Sequence, residues 1–251
     1  MPLPAKAFQR WLHGVAPDAS VADVARASGV KRTTLAQQLV RGKVAEATVV
    51  GISRAFNINP VAALGSFEPY RDLGNPAIPP TLPELVSQIA TVDLLHAIIA
   101  RTKPDAGTDK GTGTDKGTAP PGLSAPPHAT SVKNWVDAID DGELRHRVST
   151  ATGVAPQNYS AQLTANRLAP ELAVATSRAA GVGLASGLVA AGLVTEAEAG
   201  WPPGARQAAL DSMTDGELTV LAGERLQALG KTLRRQEHDQ RQTETIWENL
   251  G

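Results

Sequence analysis

One stretch of this chain occurs twice. Displaced by 124 residues, positions 8–64 fall on 132–188 without a gap. Trp11 meets Trp135, Val24 meets Val148, and Gly29-Val30 meets Gly153-Val154. Gln38-Leu39 meets Gln162-Leu163, Ser53-Arg54-Ala55 meets Ser177-Arg178-Ala179, and Leu64 meets Leu188. The matches are mostly small or apolar and recur at helical spacing, the trace a shared core leaves after two copies diverge. Whatever architecture one copy adopts, the other must be able to adopt. A length of 251 residues suits two modest units better than one large one.

Each copy reads as helical throughout. Aromatic residues make up 4% of the chain, and no apolar/polar alternation is sustained, so strands are not expected. In the first copy, Lys6–Val15 forms a helix with Phe8, Trp11, Leu12 and Val15 on one face. Ser20 is a suitable N-cap for a second helix carrying Val21, Val24 and Ala25. Gly29 stands where a left-handed residue closes that helix. A third helix runs from about Lys31 to Val40 and ends at Gly42. A fourth covers about Ala45–Phe56, and Pro60 opens a short fifth. The second copy repeats this order, with Gly153 at the same turn and Pro156 opening its third helix.

The segment from Ser20 to Val30 has the form of the first half of a helix-turn-helix. Ala25 permits close helix approach, Gly29 makes the turn, and Val30 fills the angle. The following helix keeps Leu35 and Leu39 inward and turns out Lys31, Arg32, Thr33, Thr34, Gln37, Gln38 and Arg41, with Lys43 just beyond. These side chains suit DNA: Arg and Lys for guanine edges or phosphates, Gln for adenine, Thr for phosphates or thymine methyls. Residues 1–80 carry nine Lys/Arg against five Asp/Glu, whereas residues 131–210 carry six against seven. The chain's net charge of −1 therefore conceals a basic first copy.

Residues 20–64, with the Ala25-x-x-x-Gly29-Val30 turn, the Arg41-Gly42 close and the run Arg54-Ala-Phe-Asn-Ile-Asn-Pro-Val-Ala-Ala-Leu64, resemble the lambda-repressor-like (Cro/XRE) helix-turn-helix family. That resemblance implies a five-helix bundle whose third helix enters the major groove of double-stranded operator DNA. Where the family often places Gln at the start of its second helix, this chain has Val21. Pro60–Tyr70 and Leu188–Ala199 also look like the corresponding segments of actinobacterial phage immunity repressors.

The second copy keeps the scaffold and changes the outward face. Its third helix offers Gln157, Asn158, Ser160, Thr164 and Asn166, with Arg167 after it, and Arg145 and Arg147 on the preceding helix are candidates for holding phosphate. It reads either as a second DNA head with other base preferences or as an interaction domain.

Between the copies, residues 104–130 contain a tandem Gly-Thr-Asp-Lys-Gly-Thr (107–112 and 113–118) followed by Pro120, Pro121, Pro126 and Pro127. So little apolar surface predicts a disordered linker, able to let the copies reach separate half-sites. An amphipathic helix follows each copy: one with Leu82, Leu85, Ile89, Val92, Leu95 and Ile99, the other with Leu218, Ala222, Leu226, Leu229 and Leu233. The second continues through a charged run to Ile246, Trp247 and Leu250, and is a candidate surface for a homodimer or protein partner.

The expected fold class is thus all-α: two tandem lambda-repressor-like helix-turn-helix bundles, each with a trailing helix, joined by a disordered linker. The division is 1–103, a DNA-binding domain; 104–130, the linker; 131–212, the diverged second domain; and 213–251, the C-terminal amphipathic helix. The absence of cysteine excludes disulfides, thiolate nucleophiles and cysteine metal sites. Five scattered histidines suggest no metal site, nothing pairs a nucleophile with a base, and no cofactor motif is present. No apolar stretch is long enough to span a membrane. The expectation is a cytoplasmic, non-enzymatic repressor of phage-immunity type acting on a bipartite, asymmetric operator, with an antitoxin or adaptor as the alternative.

Overall fold

The computed structural model describes residues 2–102 and 122–250, with no side-chain description for 242–250. Most of the expected linker, 104–121, and the side chains of Ile246, Trp247 and Leu250 lie outside the described residues. The fold is mostly helical. The first copy contains α1 (Ala5–Val15), α2 (Val21–Ser28), α3 (Arg32–Val40), α4 (Glu46–Ala55) and α5 (Pro60–Gly65), then a 3-10 helix (Glu68–Gly74). Next come α6 (Leu82–Ser87) and α7 (Thr91–Thr102). The second copy contains α8 (Ser131–Ile139), α9 (Leu144–Thr152), α10 (Pro156–Thr164), α11 (Pro170–Ala180) and α12 (Ser186–Ala190). Helices α13 (Ala205–Ser212) and α14 (Asp215–Leu250) complete the chain.

The duplication is geometric as well as sequential. Helices α3 and α10 coincide end for end at the displacement of 124. Their preceding glycines adopt the same left-handed conformation, φ 68° at Gly29 and φ 70° at Gly153. The turn after each helix is left-handed too, at Gly42 (φ 72°) and Asn166 (φ 48°). Equivalent core positions are filled in both copies: Val24 and Val148, Leu35 and Tyr159, and Leu64 and Leu188 are each fully buried. Where Leu35 becomes Tyr159, the added hydroxyl bonds Thr176 Oγ1 at 2.9 Å, so the polar atom is satisfied inside the core.

Gln38 and Gln162 show what the repeated glutamine does. Gln38 Oε1 accepts from Ala45 N at 3.2 Å and Thr48 Oγ1 at 3.0 Å. Gln162 Oε1 accepts from Ala169 N at 3.0 Å. In each copy a side chain from the third helix caps the start of the fourth, whose own N-cap is an alanine without a capping side chain.

The expectation of no strands needs one correction. Leu3–Pro4 and Lys43–Val44 form a two-stranded antiparallel pair, β1 and β2, with Leu3 opposite Val44. Both residues are fully buried, so the pairing closes the bottom of the core. It also ties the start of α1 to the turn after α3, where Ala5 N donates to Gly42 O at 3.0 Å. The second copy makes the same tie with a side chain: Asn166 Oδ1 accepts from Val132 N at 2.9 Å.

By its contacts the chain divides into two units, residues 1–88 with 125–205, and residues 89–124 with 206–251. The first unit holds both copies. They share one apolar core, in which Phe8, Leu64 and Tyr70 belong to the same cluster as Trp135, Tyr159 and Leu188. Arg54 Nε and Nη2 grip Glu198 at 2.7 and 2.8 Å, and Arg178 Nη2 reaches Asp72 at 2.7 Å. Arg54 and Arg178 are equivalent positions, and each crosses to the other copy. Reciprocity of this kind marks an isologous, two-fold interface, here approximate because one chain supplies both sides. Buried Glu84 adds to it, accepting from Trp135 Nε1 at 3.3 Å while completing a capping box with Thr81. The copies are therefore not independent arms: they share an apolar core and are tied by ion pairs that cross from each to the other. Part of the presumed linker is also fixed, since the His128 ring bonds Ser87 O at 3.0 Å and Asn166 Nδ2 donates to His128 O at 3.2 Å.

The second unit pairs α7 with α14 around Ile89, Leu94, Leu210, Leu218 and Ala222. The expected first trailing helix is broken at Gln88–Ala90, so that α6 joins the first unit and α7 the second. The starts of α6 and α14 are capped alike: Thr214 and Glu217 form the same capping pair at α14 as Thr81 and Glu84 at α6. Within this unit Asp93 accepts from Ser124 N at 2.9 Å, and Arg101 donates to Leu210 O at 2.8 Å and Met213 O at 2.7 Å, satisfying carbonyls at the end of α13. Burial pulls the Arg225 guanidinium down to about 10.

Candidate nucleic-acid interface

Helix α2 begins at a capping box. Ser20 Oγ accepts from Asp23 N at 3.2 Å, and the Asp23 carboxylate accepts from Ser20 N at 3.2 Å. The Ser20 hydroxyl, and after it the Ser20 N–H, donate to the Asp23 carboxylate and hold it below its ordinary range. Val24 and Ala25 bury the inner face of α2, Gly29 turns the chain, and Leu35 anchors α3. What remains outward is a continuous polar edge: Lys31, Arg32, Thr33, Thr34, Gln37, Arg41 and Lys43 are all exposed. Among the described residues, Lys31, Arg32, Arg41 and Lys43 have no carboxylate partner. Lys31 supplies no side-chain cap to α3, leaving first-turn N–H groups open to an anion.

Gln38 is the exception on this face. It is half-buried, and its amide oxygen is committed to α4. Its place is to hold α3 against α4, not to read a base with that oxygen. Val40, which the sequence pattern left unassigned, is 89% exposed at the end of α3. The helical period could have found it: positions 35 and 39 point inward, so 40 points away. An apolar side chain this exposed beside Arg41 suits a thymine methyl or a sugar.

The second copy arranges its charges differently. Arg145 lies 3.5 Å from Asp140 and 3.9 Å from Asp137. Arg147 bonds Asp141 at 2.9 Å and Ala179 O at 3.1 Å, and its guanidinium holds the Asp141 carboxyl below the usual range. Lys133 pairs with Asp137. Asn166, expected on the reading face, is occupied by Val132 N and His128 O. Gln157, Asn158, Thr164 and Arg167 are exposed, and Ser160 is half-exposed with its carbonyl accepting from Thr164 Oγ1 at 3.0 Å. Among the described residues, the structure thus gathers four carboxylate-free cations at the α3 edge and a single exposed cation, Arg167, at the α10 edge. The arginines of α9 were legible as cations, but the acidic turn at Asp137–Asp141 that neutralises them lies in the preceding helix and loop.

Among the described residues, no group of three or more His, Asp or Glu side chains is placed to hold a metal ion. No helix among them is long and apolar enough to cross a membrane. No protein-family model, curated protein or solved structure matches the chain.

Proposed function

We propose that this protein is a sequence-specific double-stranded DNA-binding repressor, with two lambda-repressor-like helix-turn-helix copies in one chain and α3 as its principal reading helix. The observation that carries this is the outward edge of α2–Gly29–α3, where four cations with no carboxylate partner among the described residues flank Thr33, Thr34 and Gln37. A face of this kind gains affinity by releasing counterions from phosphates and specificity by reaching base edges. The α10 edge, with Gln157, Asn158, Ser160, Thr164 and Arg167, adds weaker and different contacts, so the operator is bipartite and asymmetric. Bound there, the protein represses by occupancy, as in phage immunity, and acts in the cytoplasm without enzymatic activity. The test is fluorescence anisotropy of a labelled duplex across a salt series. The wild type loses affinity steeply as salt rises; a variant with Lys31, Arg32, Arg41 and Lys43 all replaced by Ala binds weakly at every salt concentration. Equal binding by both would end this reading.

One observation favours a second reading, in which the chain is an antitoxin or adaptor. Val92, Ile99, Val220, Leu226, Leu229 and Leu233 are all more than 40% exposed in the second unit. An apolar surface of this extent suits a homodimer or protein partner docked along α14. A complex made that way persists at high salt, where the DNA complex dissociates.

A further inference from the structure

Helix α3 has an outermost stripe. Buried Leu35 gives the inward direction, and the helical turn of about 100° per residue then sets Thr33, Gln37 and Val40 within about 40° of the opposite side. All three are exposed. Val40, at 89%, is the most exposed large apolar side chain among the described residues. Gln37 differs from Gln38 in having its amide outside the fold. Arg41 and Lys43, exposed and without a carboxylate partner among the described residues, follow directly.

The second copy places a side chain of nearly the same shape at the same point. Displaced by 124, Val40 falls on Thr164. Each is the last residue of its helix, and each is exposed. Thr164 Oγ1 donates to Ser160 O at 3.0 Å. With the hydroxyl committed to its own helix, the methyl is the group left for a partner. Both α3 and α10 therefore end on a β-branched residue that offers a methyl group to the outside. Such a residue lowers helix propensity, and an exposed methyl contributes nothing until something covers it.

We infer that Val40 reads the 5-methyl group of a thymine in the major groove, on a base pair next to the one that Gln37 reaches. This contact presupposes that the chain binds DNA as proposed above, and it names a base within that site. On the major-groove edges the thymine methyl is the group an apolar side chain recognises. Residues 37 and 40 stand about 4.5 Å apart along the helix axis, against about 3.4 Å between successive base pairs, so their contacts fall on neighbouring pairs. Arg41 and Lys43 hold phosphate alongside and fix the register.

The experiment begins with the operator selected by the full chain from random duplex DNA. Each thymine in it is replaced in turn by deoxyuridine, which removes the methyl and keeps every hydrogen-bonding group. Fluorescence anisotropy gives the affinities of the wild type, Val40→Ala and Val40→Thr. Val40 is exposed enough that all three unfold at the same temperature. The expected result is one thymine whose loss of methyl weakens the wild type about fourfold, the worth of one buried methyl group. Val40→Ala binds the thymine and uracil duplexes alike at that position. Val40→Thr keeps the difference, because a γ-methyl remains. An operator that the wild type binds specifically, but with no thymine of this kind, overturns the inference and leaves DNA binding standing. An unchanged uracil penalty at every thymine in Val40→Ala does the same. Selection that enriches no sequence overturns both.

Discussion

Removing Arg54 and Glu198, singly and together, measures how firmly the two copies are joined. Arg54 makes two parallel bonds to the Glu198 carboxylate at 2.7 and 2.8 Å and a third to Leu193 O at 3.2 Å. Glu198 is also held by Thr195 N at 2.7 Å. The Glu198 side chain is 18% exposed and that of Arg54 46%, so the pair is screened on one side only. Exposed pairs contribute about 0.2–1 kcal/mol; the bidentate geometry and the sheltered carboxylate raise the expected coupling to about 1–2 kcal/mol. The pseudo-equivalent pair, Arg178 with Asp72, makes one bond at 2.7 Å between side chains 51% and 53% exposed, and its coupling should fall below about 0.5 kcal/mol. Double-mutant cycles in urea unfolding, followed by tryptophan fluorescence, yield both values. The pH dependence has a definite sign. Glu198 is held below the ordinary carboxylate range, chiefly by its bond to Arg54, so the coupling is complete at neutral pH and is lost as pH falls through the folded-state pKa. A coupling for Arg178–Asp72 equal to that of Arg54–Glu198 would refute the reasoning, because bidentate contact and shelter would then count for nothing.

Other expectations rest on separate residues. Gly29→Ala and Gly153→Ala should cost nearly the same, about 1 kcal/mol each in thermal or urea unfolding, since both glycines are left-handed and a Cβ at either meets no atom within 4 Å. Gly187→Ala should cost more, about 1–3 kcal/mol, because its Cβ would lie 2.5 Å from Ala173 O and 2.9 Å from Trp135 Cη2. Under the proposed function, Arg32→Ala weakens specific DNA binding by about 1–3 kcal/mol in anisotropy titrations. Arg145→Ala changes it by less than about 0.5 kcal/mol, because Asp137 and Asp140 already occupy that guanidinium.

Helix positions were legible because each carries a local signal. Ser20 with Asp23, Gly29, Pro60 and Pro156 mark helix ends by their own conformational preferences, and the 124-residue repeat doubled the evidence for Gly29, which recurs as Gly153. The joining of the copies was not legible. It depends on Arg54 finding Glu198, 144 positions away, and on glycines such as Gly183 whose only signature is a missing side chain. The break after α6 was hidden for a related reason: Leu82, Leu85, Ile89, Val92, Leu95 and Ile99 keep a helical period, yet buried Gln88 ends the first helix and donates to Ser131 O at 3.1 Å. On the candidate interface, exposure followed from periodicity. Which polar side chains were already spoken for, as with Gln38, Asn166 and Arg147, depended on partners that no local pattern names.

The central claim is that the edge of α3 reads a specific DNA sequence. Selection from random duplex DNA, run on the full chain and on its Arg32→Ala variant, tests this most directly. The account predicts an asymmetric, two-part motif enriched by the wild type and a relaxed base preference in one part of it for Arg32→Ala. Enrichment of no sequence, or of the same motif at the same stringency by both proteins, would contradict it.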